Sequence, residues 1–307
     1  MRMNLKQLAS KEERFVSGHR LCPGCAAPII VRLTLKAIKQ AVVVATATGC
    51  LEVSSTIFPY TSWRVPWIHN AFENAAATIS GVEACYRALK RQGKIRKEIK
   101  FVAFGGDGGT YDIGLQSLSG ALERGHDFLY VCYDNEAYMN TGIQRSSATP
   151  MGAWTNTSQV GSAQLGKKEH MKDLTSIVAA HNIPYVAQAT PANYLDLMRK
   201  VEKGVSIKGP AFINVLSPCP RGWRFPHNKT IKIAQLAVDT CFWPLYEVEN
   251  GVYKINFDPG KNKKPIREWI LSQGRYKHLW KNRGFIREIQ EFVDRRWERL
   301  KQLSSMG

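Results

Sequence analysis

Two sets of residues in this sequence have types and spacing that could do chemistry. The first is Phe104-Gly105-Gly106-Asp107-Gly108-Gly109-Thr110, followed by Tyr130-Val131-Cys132-Tyr133-Asp134-Asn135. Glycines let backbone N–H groups approach a phosphate, and a helix that starts there turns its positive end toward the anion. Asp107 and Asn135 add hard oxygen ligands of the kind that hold Mg²⁺ against a diphosphate. The same string also suits an ordinary Gly-rich turn in a βαβ unit, or a nucleotide-binding loop. The second set is Cys22, Cys25, Cys50 and Cys219, one Cys-x-x-Cys pair and two single cysteines. Gly24, Gly49, Pro218 and Pro220 flank them, giving tight turns whose free amides can hydrogen-bond sulfur. Four such thiolates suit a [4Fe–4S] cluster. A structural zinc is the rival, although zinc sites usually use two closely spaced pairs, and unrelated cysteines are a third reading. Cys85, Cys132 and Cys241 read as buried small hydrophobes.

The elements that must position these groups follow from periodicity. Lys100 to Phe104 and Phe128 to Tyr133 read as buried strands. Between them, Leu115, Leu118 and Leu122 recur at helical spacing from Asp112 to Arg124, and Gly125 stops the helix. Strand, Gly-rich turn, helix and strand place both polar ends on the carboxyl edge of an open sheet, where ligands bind. Upstream, the Cys-x-x-Cys enters a helix from about Ala26 to Gln40, and a β-branched strand from Ala41 to Thr48 delivers Cys50 to an edge. Residues 51–70 read as irregular and aromatic, followed by a helix from Ala75 to Arg91. Downstream of Asn135 comes a long Ser/Thr/Gly/Asn-rich segment to about Gly166, of the length that is usually functional or mobile. Helix Glu169 to Ala180, strand Tyr185 to Thr190, helix Ala192 to Lys203 and strand Ala211 to Leu216 complete an α/β pattern. A helix from Ile231 to Thr240, a hairpin from Leu245 to Phe257 turning at Asn250-Gly251 and a helix from Phe285 to Leu303 end the chain. The division is thus 1–227 for the α/β domain and 228–307 for a small basic extension.

Composition narrows the classes. With 307 residues and 44% hydrophobic content the chain can bury a large core. No stretch has the length of a membrane span, and Met1 to Phe15 lacks an apolar signal core, so the expected compartment is the cytoplasm. There a Cys-x-x-Cys is a metal, cluster or redox site rather than part of a disulfide framework. The net charge of +18 first suggests nucleic acid, but no recognisable nucleic-acid motif is present. Residues 251–307 hold 14 Lys/Arg against 6 Asp/Glu, and such a patch steers acidic proteins as readily as phosphate backbones.

Gly-Asp-Gly followed by a distant Asn resembles the thiamine-diphosphate enzymes, and Asn135 matches the second position of their Asn pair. Together with the cysteines, the runs Gly18 to Cys25, Ala47 to Cys50, Pro66 to Asn74, Gly106 to Gly109, Tyr138 to Gly142 and Ser217 to Pro220 resemble the beta subunits of the 2-oxoacid:ferredoxin oxidoreductases over nearly the whole chain. The resemblance implies a thiamine-diphosphate-binding α/β fold with a mostly parallel sheet flanked by helices. It implies oxidative decarboxylation of a 2-oxoacid, pyruvate first, with coenzyme A, and electrons passing one at a time through a [4Fe–4S] cluster to ferredoxin. It assigns Cys22, Cys25, Cys50 and Cys219 to the cluster and Asp107, Asn135 and the Ala137 carbonyl to Mg²⁺. Gly49, His69, Gly106, Gly108, Gly109, Asn140 and Thr141 are assigned to the cofactor, with Asn140 also facing the substrate. The expected partners are an alpha subunit with the pyrimidine-binding domain, and gamma and ferredoxin-like delta subunits. No nucleic acid or membrane is expected.

Two departures matter. The family's Glu that activates the aminopyrimidine has no candidate here and is expected from the partner subunit. Relatives also carry a polar residue just after the Cys-x-x-Cys, where this chain has Ala26 and Ala27. The alternatives are the same chemistry on 2-oxoisovalerate, 2-oxoglutarate, indolepyruvate or oxalate, or a non-enzymatic basic nucleic-acid-binding protein with a zinc site.

Overall fold

The computed structural model describes residues 5–306; the first four residues of the polar lead-in lie outside them. Eight strands form one sheet: β1 Ala41–Ala47, β2 Trp67–Asn70, β3 Ile99–Gly106, β4 Leu129–Asp134, β5 Tyr185–Ala189, β6 Ala211–Leu216, β7 Tyr246–Glu249 and β8 Val252–Ile255. Their order is β2-β1-β3-β4-β6-β5-β7-β8. The first six are parallel, and β7 and β8 add antiparallel to β5. β4, β5 and β6 are buried along their whole length, as their near-continuous apolar sequences require when helices cover both faces.

The side chains sort by the period of two. Phe101, Ala103, Tyr130 and Cys132 enter one core with helices Ala75–Arg91, Leu115–Glu123, Thr230–Asp239 and Arg283–Ser305. Val102, Phe104, Leu129, Val131 and Tyr133 enter the other with helices Ala27–Ala37 and Tyr194–Ser206. Pro28 sits in the first turn of Ala27–Ala37, where its missing N–H has no intrahelical acceptor to lose.

Several elements differ from the sequence reading. The stretch 51–70 is not irregular throughout: helix Cys50–Ser55 opens it, and β2 closes it as an edge strand with Trp67 opposite Val44 and Asn70 opposite Ala47. Prolines 59 and 66 and the aromatic run mask its period. The Asp112–Arg124 helix is two pieces, a π-helical turn Gly108–Ile113 and helix Leu115–Glu123. The helix expected from Glu169 starts at Leu174, because the Asp173 side chain accepts from Ser176 N and caps it there. Cys85 is exposed, not buried, whereas Cys132 and Cys241 are buried. Phe15, in the lead-in, is buried against Trp63.

The hairpin turns at Asn250 (φ 50°) and Gly251 (φ 83°), the two consecutive positive-φ positions that a two-residue primed turn needs. Through it, residues beyond 228 share the main sheet, and Ile266, Trp269, Ile289 and Trp297 share the core with Ala45 and Phe101. Among the described residues no helix is long and apolar enough to cross a membrane.

Candidate cofactor and cysteine site

Four strands deliver the chemistry to one edge. Gly49-Cys50 follows β1, Asp107 follows β3, Asn135 follows β4 and Ser217-Pro218-Cys219 follows β6. A cleft opens there, lined by Thr48, Gly49, Cys50, Gly106 to Gly109, Tyr133, Asn135 and the run from Ala137 to Asn140. Glycine is required by the crowding: a Cβ on Gly108 would lie 2.4 Å from the Tyr138 ring, and one on Gly109 2.6 Å from the Phe72 carbonyl. Tyr138 fixes its own ring by donating to the Gly108 carbonyl at 2.8 Å. The π-helical turn, closed by Gly114 N on Gly109 O at 2.7 Å, follows directly; such turns cluster at functional sites.

Asp107 is fully buried. Its Oδ1 accepts from Asn135 N at 3.2 Å, and its Oδ2 accepts from Ser146 Oγ at 2.5 Å. The terminus of the Asn135 amide lies 2.8 Å from Ala137 O and 2.9 Å from Asp107 Oδ1. With its NH₂ inward the amide donates to both. With its oxygen inward, three oxygens face one another, an arrangement that a cation among them would favour. Asp107, Asp134 and Glu136 are all buried, and burial pushes all three carboxyls above the usual carboxylate range. A divalent cation would relieve that crowding, so the residues present fit Mg²⁺. Asp134 is not turned to that point: its Oδ2 accepts from Tyr111 OH at 2.5 Å and its Oδ1 from Glu136 N at 3.0 Å.

The four cysteines come together from three separate segments. Each of the six pairings among Cys22, Cys25, Cys50 and Cys219 is close enough for one thiol to perturb the other. Burial pushes Cys25 and Cys50 up to about 12, and neighbouring thiols add to it. Asp107 is also among the neighbours acting on Cys50, so the cysteine set and the oxygen set adjoin. Cys219 Sγ accepts from Gly222 N at 3.3 Å. The Cys-x-x-Cys loop is clamped from far along the chain, where Thr230 Oγ1 donates to Gly24 O at 2.5 Å. A Cβ on Gly24 would lie 2.2 Å from His227 O. Among the described residues, no group of three or more His, Cys, Asp or Glu converges at the spacing of a single metal ion.

Two residues expected at the cofactor are outside the lining of the cleft. His69 is on β2, outside the cleft lining, with Nδ1 2.8 Å from Glu52 Oε1 and its ring stacked on Trp67 at 5.0 Å. Thr141 is exposed beyond the lining and donates to Gln144 Oε1 at 2.5 Å. Asn140 is exposed and lines the cleft. Ala26 and Ala27 are buried, so no polar side chain follows the second cysteine of the pair.

Sequence reasoning missed Ser146, Lys167 and Arg275. Lys167 is buried and donates to Thr149 O at 2.6 Å and Ser147 O at 3.2 Å, locking the loop that carries Ser146. Arg275 pairs with Glu136. No local pattern announces any of the three, because each acts across a long separation in sequence.

Residues 47–215 match the thiamine pyrophosphate enzyme, C-terminal TPP binding domain. The pyruvate synthase subunit PorB of Thermotoga maritima is 53% identical across 100% of this chain and 98% of its own length. The chain belongs to the PorB family of pyruvate synthase subunits. A ketoisovalerate oxidoreductase subunit VorB of Pyrococcus abyssi is 48% identical over 96% of this chain and 94% of its own. A solved 2-oxoglutarate:ferredoxin oxidoreductase of Magnetococcus marinus aligns at a TM-score of 0.56 and 19% identity over 74% of this chain and 81% of that one, a likeness of fold. Within the PorB family fold, the matched domain runs from the last residue of β1 through most of β6, the stretch that carries Cys50 and the whole oxygen set.

Proposed function

We propose that this chain is the thiamine-diphosphate-binding subunit of a 2-oxoacid oxidoreductase. It would convert pyruvate and coenzyme A to the acyl thioester and CO₂ while an electron pair leaves for a ferredoxin. The observation that carries the reading is Cys50, which lines the cleft of the diphosphate residues and belongs to the four-cysteine set as well. Asp107, Asn135 and the Ala137 carbonyl would hold Mg²⁺, and Gly106, Gly108 and Gly109 would admit the diphosphate. Thiamine diphosphate, when bound, supplies the carbanion chemistry that releases CO₂. Cys22, Cys25, Cys50 and Cys219 would hold a [4Fe–4S] cluster that takes the electrons singly. Asn140, on the open side of the cleft, would donate a hydrogen bond to the substrate. Tyr138 and Phe72, packed on the Gly-rich turn, would flank the diphosphate end.

The missing aminopyrimidine Glu would come from an alpha subunit with the pyrimidine-binding domain. The basic segment 228–307 would serve subunit docking or receive an acidic ferredoxin-like chain, and gamma and delta subunits would complete the assembly. The test is iron and acid-labile sulfide per chain in complex purified without oxygen, with CO₂ release from pyruvate and from 2-oxoisovalerate. About four of each per chain, with pyruvate preferred, is the expected result. Preference for 2-oxoisovalerate, the reading favoured by the likeness to a VorB subunit, would change the acid and keep the class. Zinc without sulfide would remove the electron path.

A further inference from the structure

Tyr133 closes β4 and lies in the same core as Ala26 and Ala27, on the sheet face that carries the Cys-x-x-Cys helix. Its side chain is 1% exposed, and among the described residues its hydroxyl has no hydrogen-bond partner. A buried phenol normally finds one, so something the protein does not itself supply accepts from it. The ring reaches across β3. A Cβ on Gly106 would lie 3.4 Å from the ring edge and the hydroxyl, and one on Gly49 would lie 2.7 Å from the hydroxyl. The hydroxyl therefore sits over two glycines, beside the residue that precedes Cys50. Tyr133 and Cys50 line the same cleft.

We propose that the Tyr133 hydroxyl is a hydrogen-bond donor to the sulfur ligands of the four-cysteine site on its Cys50 side, and so sets the electron affinity of the cluster held there. This rests on the cluster reading above. A donor aimed at sulfur stabilises the added electron, and hydrogen bonds to the sulfurs are among the protein's means of tuning a cluster's potential. Tyr133 is thus a positioning residue at the junction of cleft and cysteines. Glycine at position 49 is what leaves its hydroxyl room.

The experiment compares wild type and Tyr133→Phe as the assembled complex, purified without oxygen. Iron, sulfide and thiamine diphosphate content are measured alongside the midpoint potential from a spectroscopic redox titration. The expected result is a midpoint potential shifted to a more negative value in Tyr133→Phe, with iron, sulfide and cofactor content unchanged. Gly49→Ala, which displaces the hydroxyl, should shift the potential in the same direction. An unmoved potential in a loaded Tyr133→Phe complex overturns the proposal. So does an unmoved potential with weakened thiamine diphosphate binding, which would assign the hydroxyl to the diphosphate. Loss of iron from the Phe variant alone overturns tuning in favour of a structural role. A wild-type complex without iron and sulfide overturns the proposed function itself, and that is read before any variant is compared.

Discussion

Arg275 and Glu136, distant in sequence, meet as an ion pair with both side chains buried. The guanidinium also stacks 4.0 Å from the Trp223 ring centroid and 5.1 Å from that of Tyr276, and Nε donates to Gln273 Oε1 at 2.8 Å. Glu136 has a positive φ of 65° and directly follows the proposed Mg²⁺ ligand Asn135, whose carbonyl accepts from Trp223 Nε1 at 2.8 Å. The C-terminal segment therefore braces the turn that carries Asn135 and Glu136. Arg275→Met leaves a carboxylate buried without its partner. The expected loss is about 3–5 kcal/mol in denaturant unfolding, and the double variant with Glu136→Gln should recover part of it.

Asp107 and Ser146 allow the metal assignment to be graded. Asp107→Ala should abolish Mg²⁺-dependent retention of thiamine diphosphate in the assembled complex. Ser146→Ala removes only the hydroxyl that donates to Asp107 Oδ2, and should weaken Mg²⁺ affinity by about 10–100-fold. Equal cofactor occupancy in wild type and Asp107→Ala, measured after desalting, would rule out the ligand role.

Cys219→Ser should strip or destabilise the cluster while the chain stays folded. Cys85→Ser, at an exposed thiol on a helix, should leave iron and sulfide content unchanged. Full iron content in Cys219→Ser would remove it from the set.

Acid should loosen the N-terminal packing through Glu13. Its side chain hydrogen-bonds and ion-pairs with Arg32 at 2.6 Å, and lies 2.7 Å from the buried Lys36 ammonium. The Arg32 hydrogen bond above all, with Lys36, brings the Glu13 carboxyl down to about 2 from its ordinary 4.5. A depressed carboxylate contributes stability that is present above pH 4.5 and lost as pH falls toward 2. Unfolding followed over that window should steepen in wild type and flatten in Glu13→Gln; identical slopes would dismiss the pair.

The carboxyl-edge site was legible because its parts are local: glycines around Asp107, an Asn at the end of the next strand, and cysteines beside Gly and Pro. Topology then had only one edge on which to place them. What stayed hidden depends on distance or on masked periodicity. Trp67–Asn70 is too short and too aromatic to declare itself a strand, and the π-helical turn has no residue pattern of its own to announce it. Arg275, Lys167 and Ser146 reach the site only after the loop 135–173 and the C-terminal segment have folded over it. His69 sits on β2 at the sheet's margin, where it meets Glu52 and Trp67, contacts that its sequence neighbours do not announce.

That margin has a consequence for behaviour at high concentration. The sheet begins and ends with strands of four residues, β2 and β8. Each therefore exposes only a brief row of unpaired peptide groups. The outer hairpin strand adds the exposed Lys254 at mid-length. Such short borders give another sheet little to add to, so the hydrophobic strands between them stay shielded from aggregation.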